Sequence, residues 1–347
     1  MKNLILILLI SINMSATYSQ EHSMLNYLPP NYTKDGSVDY TSYIQKYLDE
    51  NQTVLFPNFP ILINDTGLYL RNQHQIIFQK GSKLILKPSS KGKYALIHIN
   101  GVKDVTLKDV RLEGDRYTHK GVSGEWGMGI EVINSQNITI QNSVISKFWG
   151  DGVYIAGKET DNVFIEGGLL KDNRRNGVSI LSGDNIHLKD ISIEETKGTW
   201  PMSAIDIEPN SFGKDYLGKI LLENVTSRNN PRGISIVLSN YLSEASSLID
   251  IKIVGFKSIG DEIGIKVNSF VNKKIKSNKI AQLKGEIEFR NISITKSSRE
   301  PIMIKGKIEE YLLAPNFVFK NISVDAKFNL SNQFKKLDAR KFNLINK

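Results

Sequence analysis

The feature that most constrains the fold of this chain is an internal repeat. A six-residue block with alternating apolar positions recurs, with copies that start at residues 129, 152, 177, 204, 233 and 264, at intervals of 23 to 31 residues. Together with one earlier block, the copies read ALIHIN (95–100), GIEVIN (129–134), GVYIAG (152–157), GVSILS (177–182), AIDIEP (204–209), GISIVL (233–238) and GIKVNS (264–269). Alternation of this kind predicts a strand with one buried face. Self-similarity with a period of roughly 20 to 50 residues is typical of solenoids and other repeat folds.

A second block lies between these copies and holds two short apolar strands separated by a polar break. Its copies read DVTLKDVRLEG (104–114), NITIQNSVISK (137–147), NVFIEGGLLKD (162–172), NIHLKDISIEE (185–195), KILLENVTSRN (219–229), DIKIVGFKSIG (250–260), EIEFRNISITK (286–296) and NFVFKNISVDA (316–326). Each period therefore supplies three strands. One coil cannot bury its inward residues alone, but stacked coils share an apolar column. We predict an all-β, single-domain fold, a single-stranded parallel β-helix with three sheets.

The ends and corners of such a solenoid make further demands on the sequence. Open ends expose sheet edges and need caps. Residues 39–51 predict an N-terminal capping helix, because apolar and aromatic residues recur there at helical spacing: Tyr40, Tyr43, Ile44, Tyr47 and Leu48. We expect coils over about 53–330 and a C-terminal cap or tail over 331–347. Asparagines such as Asn137 and Asn162 suit coil corners, where a short polar side chain bonds the backbone. Asn137 also opens an N-x-S/T triplet, which we interpret as a corner followed by a strand.

Residues 1–20 have the pattern of a secretory signal peptide. Lys2 is their only charge, an apolar run extends from Leu4 to Ile12, and small residues lie near the end. This is the usual order of regions in such a leader. No later stretch approaches the ~18 apolar residues that a transmembrane helix needs. We expect a secreted or periplasmic protein with no membrane span, whose β-helix domain covers residues 21–347.

Composition limits the chemistry that the chain can perform. It contains no cysteine, which excludes disulfides, thiolate metal sites and a cysteine nucleophile. The formal net charge is +9, and loss of Lys2 with the signal peptide leaves +8. Excess positive charge favours an anionic partner such as an acidic polysaccharide, although a basic surface without a partner has the same composition. Motifs for phosphate, dinucleotide or nucleic-acid binding are absent from the sequence. We expect a monomer that uses no cofactor and no metal and binds no nucleic acid.

Two segments carry a family resemblance. The run DGSVDYTSYIQKYLDENQTVLFPN…GSKLIL resembles the start of pectate-lyase-like and polygalacturonase-like proteins. The run GDGVYI…NVFI…DNRRNGVSI…GDNIHLKDISI…TKGTWPMSAIDIEPN resembles bacterial β-helix proteins described as glycoside hydrolases or lyases. The likeness covers almost the whole chain after residue 20 and implies a right-handed parallel β-helix of the pectin-lyase-like superfamily. This superfamily includes hydrolases, lyases, epimerases and adhesive proteins, so the reaction must be argued from side chains.

The strand pattern predicts which side chains share a face, because residues two apart point the same way. The inward set in the six-residue block is Ile130, Val153, Val178, Ile205, Ile234 and Ile265. The outward column beside it is Glu131, Tyr154, Ser179, Asp206, Ser235 and Lys266. Two residues further along each strand lie Ile133, Ala156, Leu181, Glu208, Val237 and Asn268. In these columns, AIDIEPN is the one coil that presents two carboxylates on this face.

Asp206 and Glu208 are therefore the candidate catalytic pair. Their Cα atoms should lie about 6.5 to 7 Å apart, from a rise of about 3.3 Å per residue. Glycosidic hydrolysis needs one carboxylic acid to protonate the leaving oxygen and one carboxylate to activate water or attack, about 5 to 9.5 Å apart. Asp151, at the corner WGDGVYI two coils earlier, is a third candidate. Solvated strand carboxylates, or ordinary turn chemistry at Asp151, would give the same pattern.

Several basic and aromatic residues, and one further carboxylate, lie around this pair as candidate substrate-binding groups. They are Arg174, Arg175, Arg232, Lys266, Tyr154, Glu131, Trp149 and Trp200. Guanidinium groups bind carboxylates or sulfates through paired hydrogen bonds. The tryptophans, together with Trp126, precede copies of the first block, where an indole face can cover the apolar side of a sugar ring. A solvated charged edge and indoles that shield a coil corner are the alternatives.

The residues favour hydrolysis of a polysaccharide, and two other functions stay open. Elimination or C5-epimerisation of a uronate needs a base and a cation that neutralises the developing enolate, roles that Tyr154 and Arg174 or Arg175 could take. Against this, we find no Asp triad like that which holds calcium in pectate-lyase-type enzymes. His98 joins the outward column only if its strand is shifted by one residue. A β-helix that binds glycan without cleaving it is the third possibility.

Overall fold

The computed structural model describes residues 23–210, 215–241, 248–268, 283–305, 315–335, 337 and 341–345. The predicted signal peptide lies outside these residues. In chain order the strands are β1 (Thr53–Phe56), β2 (Pro60–Ile63), β3 (Leu68–Tyr69), β4 (Gln75–Phe78), β5 (Lys83–Leu86), β6 (Lys93–Asn100), β7 (Lys103–Lys108), β8 (Arg111–Glu113), β9 (Trp126–Ile133), β10 (Gln136–Ser146), β11 (Val153–Ala156), β12 (Asp161–Lys171), β13 (Asn176–Ile180), β14 (Asp184–Lys189), β15 (Ser192–Glu194), β16 (Ser203–Ile207), β17 (Lys219–Glu223), β18 (Thr226–Arg228), β19 (Arg232–Ile236), β20 (Leu248–Val254), β21 (Lys257–Ile259), β22 (Ile263–Val267), β23 (Lys284–Thr295), β24 (Glu300–Ile304), β25 (Asn316–Val324) and β26 (Phe342–Ile345). The helices are α1 (Thr41–Glu50) and α2 (Leu330–Phe334), and Met24–Tyr27 and Ser239–Tyr241 form single 3₁₀ turns.

The strands form the three parallel sheets of a β-helix, as the repeat predicts. Sheet I contains β3, β6, β9, β11, β13, β16, β19, β22 and β24. Sheets II and III are continuous at several coils, because β10, β12, β23 and β25 run from one into the other around a corner. The first half of β10, for example, pairs with β7 in sheet II, and its second half pairs with β8 in sheet III. The six-residue blocks are the strands of sheet I, and the second blocks supply sheets II and III.

The core consists of aliphatic residues stacked in register from coil to coil. In sheet I the predicted inward residues pair one after another, and each is buried: Ile130, Val153, Val178, Ile205, Ile234 and Ile265. Each such side chain contributes about 1.5 to 3 kcal/mol relative to full exposure. Because the column has no gap along the axis, burial fixes the register of every sheet I strand. A slip by one residue would turn the apolar set outward.

The corners depend on asparagines in the left-handed backbone region. Asn137 and Asn162 have φ values of 57° and 54°, a region that asparagine tolerates better than most residues. The amide nitrogen of Asn162 donates to the side-chain oxygen of Asn137 at 2.8 Å, one coil away. The same backbone conformation occurs at Asn224, Asn291 and Asn321, which open N-x-S/T triplets as Asn137 does. These asparagines are corner residues, as the sequence predicts.

A helix lies at the N-terminal end of the solenoid, where the sequence pattern predicts one. Ile44 and Leu48 of α1 are fully buried, whereas Tyr43, which we expected on the same stripe, is 41% exposed. The side chain of Gln45 accepts from the backbone N–H of Tyr69 at 2.8 Å and donates to its carbonyl at 3.1 Å. An amide side chain thereby takes the place of a neighbouring strand at the first edge of sheet I, which would otherwise be unpaired.

The C-terminal end of the solenoid is covered by a strand and a short helix. The strand β26 pairs with β25 and so adds one more strand to sheet II. Phe334 of α2 packs edge-on against Phe319 of β25, with ring centroids 4.9 Å apart. In the described part of the chain no helix is long and apolar enough to cross a membrane.

Candidate functional site

A groove runs along the outward face of sheet I. Its main cavity, which we call the first cavity, has a volume of about 590 Å³. The residues that line it are Glu125, Trp126, Tyr154, Arg175, Leu181, Trp200, Pro201, Glu208, Asn210, Arg232, Val237, Lys266 and Asn268. Most of these come from the two predicted outward columns or from the corners that precede them. The register confirms the first column, since Tyr154, Ser179 and Asp206 pair in succession.

Asp206 and Glu208 lie on the same face but at different depths. Glu208 lines the first cavity, whereas Asp206 is only 1% exposed and lies beneath the groove. Burial raises the pKa of Asp206 well above its ordinary value, and the nearby Glu208 raises it further, while Arg175 opposes the shift. One oxygen of Asp206, Oδ1, is buried without a hydrogen-bond partner among the described residues. The carboxyl group of Asp206 therefore favours its protonated form.

Asp151 is a buried partner of Arg175 and does not line the groove. It is fully buried, and it accepts hydrogen bonds from Arg175 Nη1 at 2.9 Å and Ser179 Oγ at 2.7 Å. The backbone N–H of Asn176 donates to its other oxygen at 3.0 Å. Burial raises the pKa of Asp151, and Arg175 counteracts the shift. This placement does not support our expectation of a third catalytic carboxylate; Asp151 instead fixes Arg175 at the base of the groove.

The far end of the first cavity is cationic. The guanidinium group of Arg232 lies over the ring of Trp200, 4.5 Å from its centroid, and Trp200 is 58% exposed. Lys266 is buried at 7% exposure, and its pKa is lowered to about 8, by burial first and then by Arg232. A buried ammonium group beside a guanidinium group is stabilised by an incoming anion. The predicted basic strip is therefore present at Arg175, Arg232 and Lys266.

Arg174 and Trp149 line neither cavity, which does not support our expectation that they bind substrate. Arg174 stacks on Trp149, with 3.7 Å between the guanidinium carbon and the ring centroid. His119 stacks on the same indole, with ring centroids 4.1 Å apart. Both Trp149 Nε1 and Arg174 Nη1 donate to the carbonyl of Gly124. This stack holds the loop that ends at Glu125, one wall of the first cavity.

A second cavity of about 290 Å³ adjoins the first and lies toward earlier coils. Its lining residues are Lys93, Trp126, Met128, Glu131, Ile133 and Tyr154. Tyr154 and Trp126 line both cavities. Burial raises the pKa of Tyr154 to about 12, assisted by the charge of Asp151. Glu131 and Tyr154, both predicted as substrate-binding, thus lie at the boundary of the second cavity.

Sequence reasoning did not assign Glu125, which lines the first cavity, and left the direction of the His98 side chain open. Glu125 precedes the alternating block GIEVIN, so alternation did not include it; Trp126, which we noted before this block, is the first residue of β9. His98 is paired with Glu131 in sheet I, which makes it part of the outward column. The one-residue shift in ALIHIN that we considered is real, since Ala95 pairs with Met128 and not with Gly129. The signal that could have found it is the apolar alternation of Ile97 and Ile99.

Over the described ranges, no cluster of three or more His, Asp or Glu side chains has the arrangement of a metal site. The residues that line the groove offer carboxylates, cations, aromatic faces and a tyrosine as its chemical groups. This combination suits recognition of a ring-shaped, hydroxylated and anionic ligand.

Comparison with known proteins agrees with this architecture. The family model described as right handed beta helix region matches residues 95–282. The uncharacterized protein YclG of Bacillus subtilis (strain 168) is 26% identical over 233 residues, which are 57% of this chain and 39% of YclG. The chain thus spans about two fifths of the length of the curated relatives it matches.

Two solved structures show the same fold at low identity. An exopolygalacturonase from Thermotoga maritima superposes with a TM-score of 0.59 and 12% identity, over 87% of this chain and 80% of the other. The A-module of the mannuronan C-5 epimerase AlgE6 from Azotobacter vinelandii gives a TM-score of 0.51 and 12% identity, over 94% and 99% of the two chains. These likenesses concern the fold. Because the family model matches more than half of the residues, and the strands stack as three parallel sheets, this chain belongs to the right-handed beta helix family.

Proposed function

We propose that this protein is an extracytoplasmic enzyme that hydrolyses a glycosidic bond in an anionic polysaccharide. The observation that carries the proposal is the first cavity, where Glu208 lies with a cationic wall and an exposed indole, while Asp206 of the same coil is buried beneath the groove. Export is expected from the signal-peptide pattern of residues 1–20. Solved neighbours of this fold include a polygalacturonase and a mannuronan epimerase, which supports a polysaccharide as the substrate.

The two carboxyl groups differ in the way that hydrolysis requires. A general acid must keep its proton near neutral pH, and enzymes achieve this by burying a carboxyl group away from water. Burial and the proximity of Glu208 raise the pKa of Asp206, which is the direction that this role requires. Glu208 lines the first cavity, so it is placed to activate water or to attack the sugar. We assign the proton donor to Asp206 and the carboxylate to Glu208.

The cations supply recognition of the acidic substituent. Arg175, Arg232 and Lys266 all line the first cavity. Charge-assisted hydrogen bonds from such groups to a carboxylate or sulfate are roughly twice as strong as neutral ones. The exposed face of Trp200 lies on the same wall and offers a platform for the apolar side of a sugar ring. Binding energy on the sugar that carries the anion can thus position the glycosidic bond over Glu208.

Proton abstraction from a uronate is less favoured by this groove. The base that we considered, Tyr154, has its pKa raised to about 12, so its side chain keeps its proton near neutral pH and little of the basic phenolate form is present. Of the two arginines considered as its partner, Arg174 stacks on Trp149 and does not line the first cavity. The proposed hydrolysis needs neither Tyr154 as a base nor Arg174.

The test is depolymerisation of a panel of acidic and neutral polysaccharides by the purified protein. New reducing ends and the absorbance of unsaturated uronate are both recorded, for the wild type and for Asp206→Asn, Glu208→Gln and Glu125→Gln. Glu223→Gln is the matched control, because Glu223 lies on sheet II, outside the groove. We expect reducing ends without unsaturated product, and a loss of at least a hundredfold in Asp206→Asn and Glu208→Gln, within the range of about 10²–10⁴ for general acid–base catalysis.

Other outcomes contradict specific parts of the proposal. Formation of unsaturated product would show that the reaction is elimination and not hydrolysis. Loss of activity in Glu125→Gln together with full activity in Asp206→Asn would move the acid to Glu125, the other carboxylate that lines the cavity. Absence of any product across the panel, with retained binding, would identify a glycan-binding protein.

A further inference from the structure

The second cavity has a chemical character opposite to that of the first. Trp126 and Tyr154 form the wall that the two cavities share. Beyond this wall the floor is apolar, formed by Met128 and Ile133, and the ionisable groups at its edge are Glu131 and Lys93. The proposed hydrolysis uses neither the floor nor Lys93, so the second cavity calls for a separate explanation.

Glu131 is a fixed carboxylate with one oxygen to spare. Its Oε1 accepts from Asn100 Nδ2 at 2.7 Å and lies 2.6 Å from His98 Nδ1. His98 is itself held by stacking on Tyr69, with ring centroids 4.1 Å apart, and by the carbonyl of Thr66. The second oxygen of Glu131, Oε2, receives no hydrogen bond from the residues that the structure describes. It is therefore free to accept one from a ligand.

The charge of Glu131 is maintained by its neighbours. Burial acts to raise its pKa, but the hydrogen bonds from His98 and Asn100 and the charge of Lys93 lower it below the ordinary value. Lys93 is exposed, and its positive charge is balanced by Glu131. A carboxylate or sulfate in this cavity would face an ionised Glu131, and like charges placed together oppose binding. Hydroxyl groups would instead donate to Oε2.

We propose that the second cavity is a binding subsite for an uncharged sugar unit, so that the substrate is a polysaccharide in which uncharged sugars alternate with anionic ones. This inference rests on the proposed function of the first cavity. The apolar floor of Met128 and Ile133 suits a methyl or acetyl substituent, and the aromatic walls suit the faces of a pyranose ring. Glu131 and Asp206 are three coils apart, about 14 Å along the axis at 4.8 Å per coil. A glycan that lies along sheet I therefore reaches both cavities.

The test compares the binding of two oligosaccharide series of equal length. One series alternates a uronate with a neutral sugar, such as galacturonate with rhamnose or glucuronate with N-acetylglucosamine, and the other contains only galacturonate. Dissociation constants are measured by calorimetry in a Glu208→Gln background, so that the ligands stay intact. We expect about tenfold tighter binding of an alternating series, the size of one hydrogen bond to a charged group plus relief of repulsion.

Two further substitutions locate this preference in the second cavity. Glu131→Gln removes the charge and keeps the acceptor for Asn100, so binding of the all-uronate series should strengthen and the preference should fall to about twofold or less. Ile133→Phe fills the floor from a half-buried position and should weaken the alternating series alone. Glu223→Gln on sheet II is the control, with unchanged binding of both series. Equal binding of the two series, an unchanged preference in Glu131→Gln, or failure of every alternating series to bind would overturn the subsite.

The measurement separates this inference from the proposed hydrolysis. A binding preference that depends on Glu131, with no cleavage of any glycan by the wild type, would support the subsite and contradict the proposed hydrolysis. Cleavage of acidic glycans without the preference would retain the hydrolase and remove the subsite.

Discussion

Replacing Arg175 with methionine should destabilise the protein in a pH-dependent way. Arg175 is the cationic partner of Asp151, which is fully buried and accepts from its Nη1 at 2.9 Å. Methionine keeps the apolar stem but leaves the carboxylate without a counter-charge. Breaking a buried ion pair in this way costs about 3 to 5 kcal/mol. Ser179 and the backbone N–H of Asn176 still donate to Asp151, so we expect about 3 kcal/mol, the lower end of that range.

The sign of the pH dependence follows from the pKa of Asp151. Burial already raises this pKa above its ordinary value, and Arg175 opposes the shift, so the substitution raises it further. A carboxyl group whose folded pKa exceeds its unfolded value destabilises the fold as the pH rises above the unfolded pKa, about 3.9. Asp206 shifts in the same direction, because Arg175 also lowers its pKa. The loss of stability should therefore be larger near neutral pH than near pH 4, where it should be small.

The assay is urea unfolding at about pH 7 and about pH 4, followed by tryptophan fluorescence. The chain has three tryptophans, Trp126, Trp149 and Trp200, and all lie in the coils around this ion pair. Arg174→Met is the matched control: its guanidinium group donates to backbone carbonyls, not to a carboxylate. Its loss of stability should be the same at both pH values. A deficit below about 1 kcal/mol for Arg175→Met at pH 7, or one that does not change with pH, would refute the reasoning.

The lowered pKa of Lys266, about 8, predicts that affinity for an anionic glycan falls as the pH rises through about 8, since the ammonium group loses its charge. Lys266→Arg should abolish this fall; a wild-type Kd that is constant from about pH 6 to about pH 10 would contradict the prediction. Trp200→Ala should weaken glycan binding about two- to tenfold by removing the exposed platform, whereas Trp149→Phe should leave Kd unchanged, and titration calorimetry of both variants checks the difference. Ile165→Ala, in the buried column of sheet II, should cost about 2 to 5 kcal/mol in urea unfolding while glycan binding stays intact; a loss below about 1 kcal/mol would mean that the coil repacks.

The fold could be predicted because every coil of a solenoid has the same sequence requirements. Inward positions such as Ile205 and Ile234 must be apolar at each turn, and the corner after each strand needs a residue that tolerates positive φ, as at Asn137. These requirements are local and repeat along the chain, so alternation alone predicts that Asp206 and Lys266 lie on the outward face of sheet I. The ends of the solenoid are less regular, and the exposure of Tyr43 shows that helical spacing does not fix the rotation of a capping helix.

The depth and direction of the site residues were decided by the tertiary structure. Alternation shows that Asp206 and Glu208 share a face, but contacts with neighbouring coils bury the first and leave the second in the groove. At a corner the side chains no longer alternate between two faces, so the sequence does not predict their direction. Arg175 lines the first cavity, whereas its neighbour Arg174 stacks on Trp149. The same holds for the loop before β9 and the first residue of that strand, which bring Glu125 and Trp126 to the cavity wall. The sequence by itself determined the coils, the register of the six later blocks and one polar face, because these depend on periodic burial. The cavity depended on loop paths and on buried charge pairs between coils, which no local pattern encodes.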